Sequence, residues 1–70
     1  MYAFAEMLEL TGQTWPSDAH RVVAEKVLIG NAHYHSLDAL KDGARIIAGI
    51  APEQIKTITA KQLSELGIWF

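Results

Sequence analysis

The stretch TWPSDAHRVVAEKVLIGN, residues 14–31, carries the clearest helix pattern in the sequence. Pro16 and Ser17 mark its start, because a serine hydroxyl can cap the unpaired amide groups of a first helical turn. Gly30 and Asn31 mark its end. Apolar residues in between recur four positions apart and charged residues occupy the other side: Val23 with Val27 and Ala24 with Leu28, against Arg21, Glu25 and Lys26. The pattern predicts an amphipathic helix with one buried face.

The segment before this helix predicts a short first helix, from Tyr2 to Leu10. Its only charged residues, Glu6 and Glu9, are three positions apart and therefore share one face. Apolar side chains cover most of the remaining surface, and Gly12 can adopt the left-handed conformation that ends a helix. We expect this helix to be mostly buried.

The segment after the opening stretch predicts a third helix, which Ser36 caps and which runs to Ala48. Gly43 lies inside it and costs about 1 kcal/mol relative to alanine. A break there, with residues 44–50 forming a buried strand, is therefore the alternative. One continuous helix is favoured because the apolar stripe keeps its register across Gly43, with Leu37, Leu40, Ala44 and Ile47 on one side and Asp38, Lys41, Asp42 and Arg45 on the other.

Two further short helices are predicted after Ala48. Pro52 suits the first position of a fourth helix. The last helix runs from Ala60 to about Leu66, and Gly67 ends it so that Ile68 can fold back on the final turn. The inward side chains of these two helices are Ile55, Ile58, Leu63 and Leu66.

The composition indicates a single packed domain over residues 1–70. Half of the 70 residues are hydrophobic, and the sequence has no internal repeat or linker. The chain has no cysteine, which excludes disulfides and thiolate zinc sites. We therefore predict an all-α fold, a compact bundle of four to five short helices held together by packing alone.

Charge and hydropathy narrow the classes of partner. The formal net charge is -2 and no block of like charge occurs, which weighs against nucleic-acid partners without excluding them. No apolar run approaches the roughly 20 residues that a membrane span needs. The beginning of the chain, MYAFAEMLEL, has no basic residue before its apolar part and so lacks the pattern of a signal peptide. We expect a cytoplasmic protein without membrane contact.

The segment NAHYHSLDALKDG, residues 31–43, raises the question of a metal site. In extended backbone, His33 and His35 would project to the same side, as a pair of metal ligands does. Two ligands do not make a site, and further ones would have to come from His20, Asp18 or Asp38. We predict no metal site and leave open whether the three histidines bind metal or sense pH.

The sequence offers few sets of residues that could act in catalysis. Two serine–histidine–aspartate sets occur in the sequence, but neighbours in sequence rarely reach the geometry of a working triad, and Ser17 and Ser36 are explained as helix caps. Those sets are Ser17, His20 and Asp18, and Ser36, His35 and Asp38. The glycines form no phosphate-binding pattern. We therefore expect a protein that is not an enzyme, with no catalytic residue and no cofactor.

Two local resemblances bear on binding. ITAKQLSELGI, residues 58–68, resembles the opening helix of a helix-turn-helix unit, although only Trp69 and Phe70 follow it and no recognition helix remains. The longer stretch of residues 39–68 is similar in texture to small helical interaction domains of the sterile-alpha-motif type, a family that the first half of the chain does not match. The first resemblance implies DNA binding, and the second implies protein binding.

A second pair of helices could also form a helix-turn-helix unit, residues 22–29 followed by 37–48. It would offer Lys41 and Arg45 to a DNA groove. Asp38 and Asp42 lie beside them, and their carboxylates would repel phosphate. A DNA-binding regulator is therefore the alternative interpretation.

The leading interpretation is a helical protein-interaction module that self-associates or docks on a larger protein, such as a bacterial or phage accessory protein. Aromatic and methionine side chains favour the centres of interfaces. The expected partner-binding surface combines the first helix with the last two residues of the sequence: Tyr2, Phe4, Met7, Trp69 and Phe70. The competing interpretation is that these side chains complete the core of a monomer.

Overall fold

The helices of this protein follow one another through short turns, in a computed structural model that describes residues 4–31 and 33–69 and only the backbone of residues 4 and 5. Across those residues there is no strand, and the predicted all-α fold is confirmed. The helices are α1 (Phe4–Leu10), α2 (Asp18–Ala24), α3 (Leu37–Ala48), α4 (Pro52–Ile55) and α5 (Ala60–Glu65). Helix α2 continues directly into a π-helical turn, Glu25–Ile29, which the sequence pattern did not predict.

Side-chain caps fix the starts of three helices. Ser17 accepts a hydrogen bond from the His20 amide at 3.4 Å, and Ser36 accepts one from the Ala39 amide at 3.2 Å. Thr59 caps α5 in a reciprocal arrangement with Gln62, whose side chain in turn accepts from the Thr59 amide at 2.9 Å. These bonds satisfy amide groups that a helix leaves without partners, so local sequence determines where the helices begin.

The core lies where α2 and its π-helical continuation meet α1, α3 and α4. Its buried apolar residues are Leu8, Ala24, Leu28, Tyr34, Leu40, Ala44, Ile47, Ile50, Ile55, Leu63 and Ile68. Val23 and Val27 pack against this core and are half-buried. The predicted rows of α2 and the stripe of α3 from Leu40 onward are therefore confirmed.

Helix α3 passes through Gly43 without a break, so the alternative of a strand over residues 44–50 is wrong. Gly43 is buried against the π-helical turn and the segment before α3. A Cβ atom at this position would lie 2.6 Å from Leu28 Cδ2 and 3.0 Å from Tyr34 Cε1. The glycine is therefore explained by the close approach of these two side chains to the α3 backbone.

Three leucines that the periodicity directs toward the core are exposed instead. Leu37 is 42%, Leu66 45% and Leu10 50% exposed. Each lies at an end of its helix, where the apolar stripe extends beyond the elements that pack against it. The prediction that α1 is mostly buried is likewise wrong for its described side chains, of which Glu6, Glu9 and Leu10 are exposed, Met7 is half-buried and Leu8 is buried.

Helix α5 ends in a Schellman motif, as the Gly67 signal predicts. Gly67 has φ +99°, and its amide donates to the Ser64 carbonyl at 3.0 Å. The Ile68 amide donates to the Leu63 carbonyl, also at 3.0 Å, and the Ile68 side chain is buried. The glycine thus turns Ile68 back into the core.

Replacing Gly67 by alanine is expected to lower the free energy of unfolding by about 1–2 kcal/mol, because an L side chain is strained at positive φ. The added Cβ would meet nothing closer than Ile46 Cδ1 at 3.9 Å, so conformation alone determines the cost. Denaturant unfolding measures it. Gly67→Asn is the control, since asparagine tolerates the left-handed region and should recover part of the loss. Equal stability of the alanine variant and the wild type would contradict the assigned turn.

Candidate interaction surface

Trp69 combines an exposed side chain with a fixed backbone. Its side chain is 67% exposed, more than that of any other large hydrophobic residue in the described part of the chain. Its amide donates to the Tyr34 hydroxyl at 2.8 Å, and its carbonyl accepts from Asn31 Nδ2. Tyr34 is itself buried in the core. The backbone that carries the indole is therefore held by hydrogen bonds, one of them to a residue of the core.

A groove of about 470 Å³ lies beside Trp69, between α3 and the segment that precedes it. Its lining mixes polar and apolar groups, including His33, Arg45 and Ile46. The rings of His33 and Trp69 lie 6.4 Å apart between centroids and are tilted by 46°. We call Trp69 and the residues of this groove the Trp69 surface. It can offer both apolar contact and hydrogen bonds.

Arg45, which lines the Trp69 surface, is paired with a carboxylate. Arg45 Nη2 lies 3.3 Å from Asp42 Oδ1, in an ion pair whose side chains are 76% and 71% exposed. Such exposed pairs contribute little to stability. The carboxylate nevertheless lowers the positive potential at Arg45, one of the two cations that the helix-turn-helix interpretation would present to DNA.

The residues of the predicted partner-binding surface differ in exposure and in whether the structure describes them. Trp69 is exposed, whereas Met7 is half-buried and packs against the core. Met7 is not among the residues that line the groove beside Trp69. Tyr2 and Phe70 lie outside the described residues, as does the side chain of Phe4. The five-residue surface as a whole stays a prediction.

The three histidines differ sharply in environment. His33 and His35 are exposed, whereas His20 is completely buried. His20 Nε2 lies 2.7 Å from the Ile50 carbonyl oxygen and Nδ1 lies 2.7 Å from Ser17 Oγ. Because a carbonyl only accepts, Nε2 donates, and in the neutral ring the Ser17 hydroxyl then donates to Nδ1. His20 thus connects the start of α2 to the segment between α3 and α4.

Sequence reasoning missed the burial of His20, although a signal was present. Position 20 precedes Ala24 and Leu28 by one and two helical turns, so the histidine extends the buried row of α2. The serine–histidine pair is real, but the ring is inaccessible to a substrate and its second nitrogen is bound to backbone. The pair therefore acts as a structural link between elements.

The described side chains form no group of three or more histidines and carboxylates that is placed to hold a metal ion. The candidate ligands His33, His35 and Asp38 are all exposed, while His20 uses both ring nitrogens within the protein. The structure therefore separates His20 from the other two histidines.

A second groove, of about 510 Å³, is lined by α2 and its π-helical continuation on one side and by residues of α4, α5 and the segment between them on the other. We call it the valine groove, and define it by its apolar residues Val22, Val23, Val27 and Ile58 together with the lysines Lys26 and Lys56. Val22 is 49% exposed, although it is apolar. Lys26 and Val27 belong to the π-helical turn, a feature that often occurs at functional sites.

No protein-family model, no curated protein and no solved structure matches this chain. None of the helices within residues 4–31 and 33–69 is long and apolar enough to cross a bilayer. Function must therefore be inferred from the residues themselves.

Proposed function

We propose that this protein is a non-enzymatic, cytoplasmic helical interaction module that binds another protein through the Trp69 surface. The observation that carries the proposal is an indole 67% exposed on a backbone held by two hydrogen bonds. Tryptophan is enriched among interface hot spots, and a backbone already fixed in the free protein lowers the entropic cost of binding. Exposing so large an apolar side chain is otherwise unfavourable.

The neighbouring groove supports the same function. A hot-spot residue works when the surrounding contacts exclude water from it. His33, Asp42 and Arg45 provide polar groups around Trp69, and Ile46 provides apolar contact. This arrangement of an aromatic anchor with a polar rim is typical of protein interfaces. The partner is a larger protein or a second copy of the chain, and Tyr2, Phe4, Met7 and Phe70 are proposed to extend the contact.

Trp69→Ala is expected to weaken partner binding more than about ten-fold, the effect of losing a hot-spot tryptophan. Because the side chain is exposed, the thermal midpoint should change little. The partner is first cross-linked and captured from the source cell, identified by mass spectrometry and purified, and then titrated calorimetrically against both proteins. Sedimentation at high micromolar concentration tests a second copy as the partner.

Leu66→Ala is the matched control, because Leu66 is 45% exposed nearby yet does not line the Trp69 groove. It should leave affinity unchanged. Wild-type affinity of Trp69→Ala for the purified partner would contradict the proposal. So would tight, salt-sensitive retention of the wild type on DNA, which would support the DNA-binding alternative instead.

A further inference from the structure

The valine groove carries a specific pattern of apolar and positive groups. Val22, Val23 and Val27 form an apolar surface, and Lys26 and Lys56 add two cations to it. Among the described residues, the ion pairs are Arg21 with Glu25 and Asp42 with Arg45, so neither lysine is neutralised by one. An occupant should therefore present an apolar side chain flanked by carboxylates.

The outward face of α1 has this complementary pattern. Glu6 and Glu9 are exposed, and Leu10 is 50% exposed. Residues three and four positions apart are neighbours on a helix, so Glu6 lies beside both Glu9 and Leu10. Among the described side chains, the face therefore presents one leucine next to two carboxylates. Leu8, on the opposite side, keeps α1 packed on its own core.

We propose that the valine groove binds the outward face of α1 from a second copy of this chain. Leu10 of one copy packs on the valines of the other, while Glu6 and Glu9 face Lys26 and Lys56. This inference deepens the proposed function, because it names a second copy as one partner, but it uses a surface separate from Trp69.

The geometry of the contact predicts how assembly proceeds. The two patches differ, so a single contact leaves one copy with an unused α1 and the other with an unused groove. Assembly then either closes, as a two-fold dimer that makes the contact twice or as a larger ring, or continues beyond the dimer. Helix α1 has 7 residues and is therefore only about 10 Å long. An interface of that size is small, so we expect weak association that appears at micromolar to millimolar concentration.

Charge reversal tests the contact. Sedimentation of the wild type should give a weight-average mass that rises with concentration above that of a monomer. Lys26→Glu with Lys56→Glu should raise the dissociation constant about ten-fold or more. Lys41→Glu with Lys61→Glu is the matched control: it changes the net charge equally, both lysines are exposed, and neither lines the groove. The control should associate like the wild type.

A complementary pair of variants strengthens the test. Glu6→Lys with Glu9→Lys should weaken self-association by a similar factor. Mixing this variant with the Lys26→Glu, Lys56→Glu variant should restore assembly, because the introduced lysines then face the introduced glutamates. A monomeric wild type at near-millimolar concentration, equal weakening by the control, or failure of the mixture to assemble would overturn the inference. Trp69-dependent binding of a different protein would survive all three results, so the two proposals fail separately.

Discussion

Replacing Gly43 by valine is expected to lower the free energy of unfolding by about 3 kcal/mol, the upper range for inserting side-chain atoms into a packed core. Even a single methyl carbon would lie 2.6 Å from Leu28 Cδ2 and 3.0 Å from Tyr34 Cε1. Leu28 is completely buried and cannot move aside without displacing its neighbours. Tyr34 is held by its hydroxyl, which binds the Trp69 amide.

Denaturant unfolding with linear extrapolation measures this loss, and Gly49→Ala is the matched control. A Cβ at Gly49 would lie 3.5 Å from the Ile46 carbonyl oxygen, an ordinary contact, and its φ of -80° suits alanine. The control should stay within about 0.5 kcal/mol of the wild type. A Gly43→Val protein as stable as the control would show that α3 does not approach the π-helical turn this closely.

His20→Ala is expected to destabilise the fold by about 3 kcal/mol, for two reasons that act together. Removing a buried ring leaves a cavity. It also leaves the Ile50 carbonyl without the donor that now lies 2.7 Å away, and an unsatisfied polar group in the interior is costly. Thermal and denaturant unfolding both report this loss.

Two comparisons separate the hydrogen bonds from the packing. His35→Ala, at an exposed histidine, should be within about 0.5 kcal/mol of the wild type. Ser17→Ala should cost about 1 kcal/mol, since it removes the cap of α2. The double variant at Ser17 and His20 should lose less than the sum of the single losses, because both lose the same 2.7 Å contact. Strict additivity would show that the contact carries no energy.

The parts of the fold that can be predicted from the sequence are those that nearby residues determine, above all the ends of helices. Ser17, Ser36 and Gly67 act within a few residues of themselves, and the structure places each where the pattern required it. The continuity of α3 was also predictable from its stripe. The pattern does not show how far the neighbouring helices extend. It therefore predicts that Leu37 and Leu66 are buried, although no neighbouring element covers them in the structure.

The π-helical turn and the two grooves depend on tertiary contacts, which periodicity does not report. Gly43 looked like a weakness in α3 because its cost is local, whereas its reason is the approach of Leu28 and Tyr34 from elsewhere in the chain. From the sequence alone, His20 is a candidate ligand, because the predicted apolar rows of α2 start at Val23 and do not include the histidine. Trp69 is predicted to be a contact residue from its side chain alone, whereas the hydrogen bonds that fix its backbone depend on Tyr34 and Asn31, which lie far from it in the sequence.

The hydrogen bond from the Trp69 amide to the Tyr34 hydroxyl has a thermodynamic consequence for any ligand that binds the Trp69 side chain. Tyr34 packs in the core and also accepts a hydrogen bond from the Trp69 amide, so the backbone that carries the indole keeps its position only while the core is intact. A ligand that recognises the indole in this position therefore binds the folded state alone, and by linkage it must raise the melting temperature of the whole chain as its concentration increases.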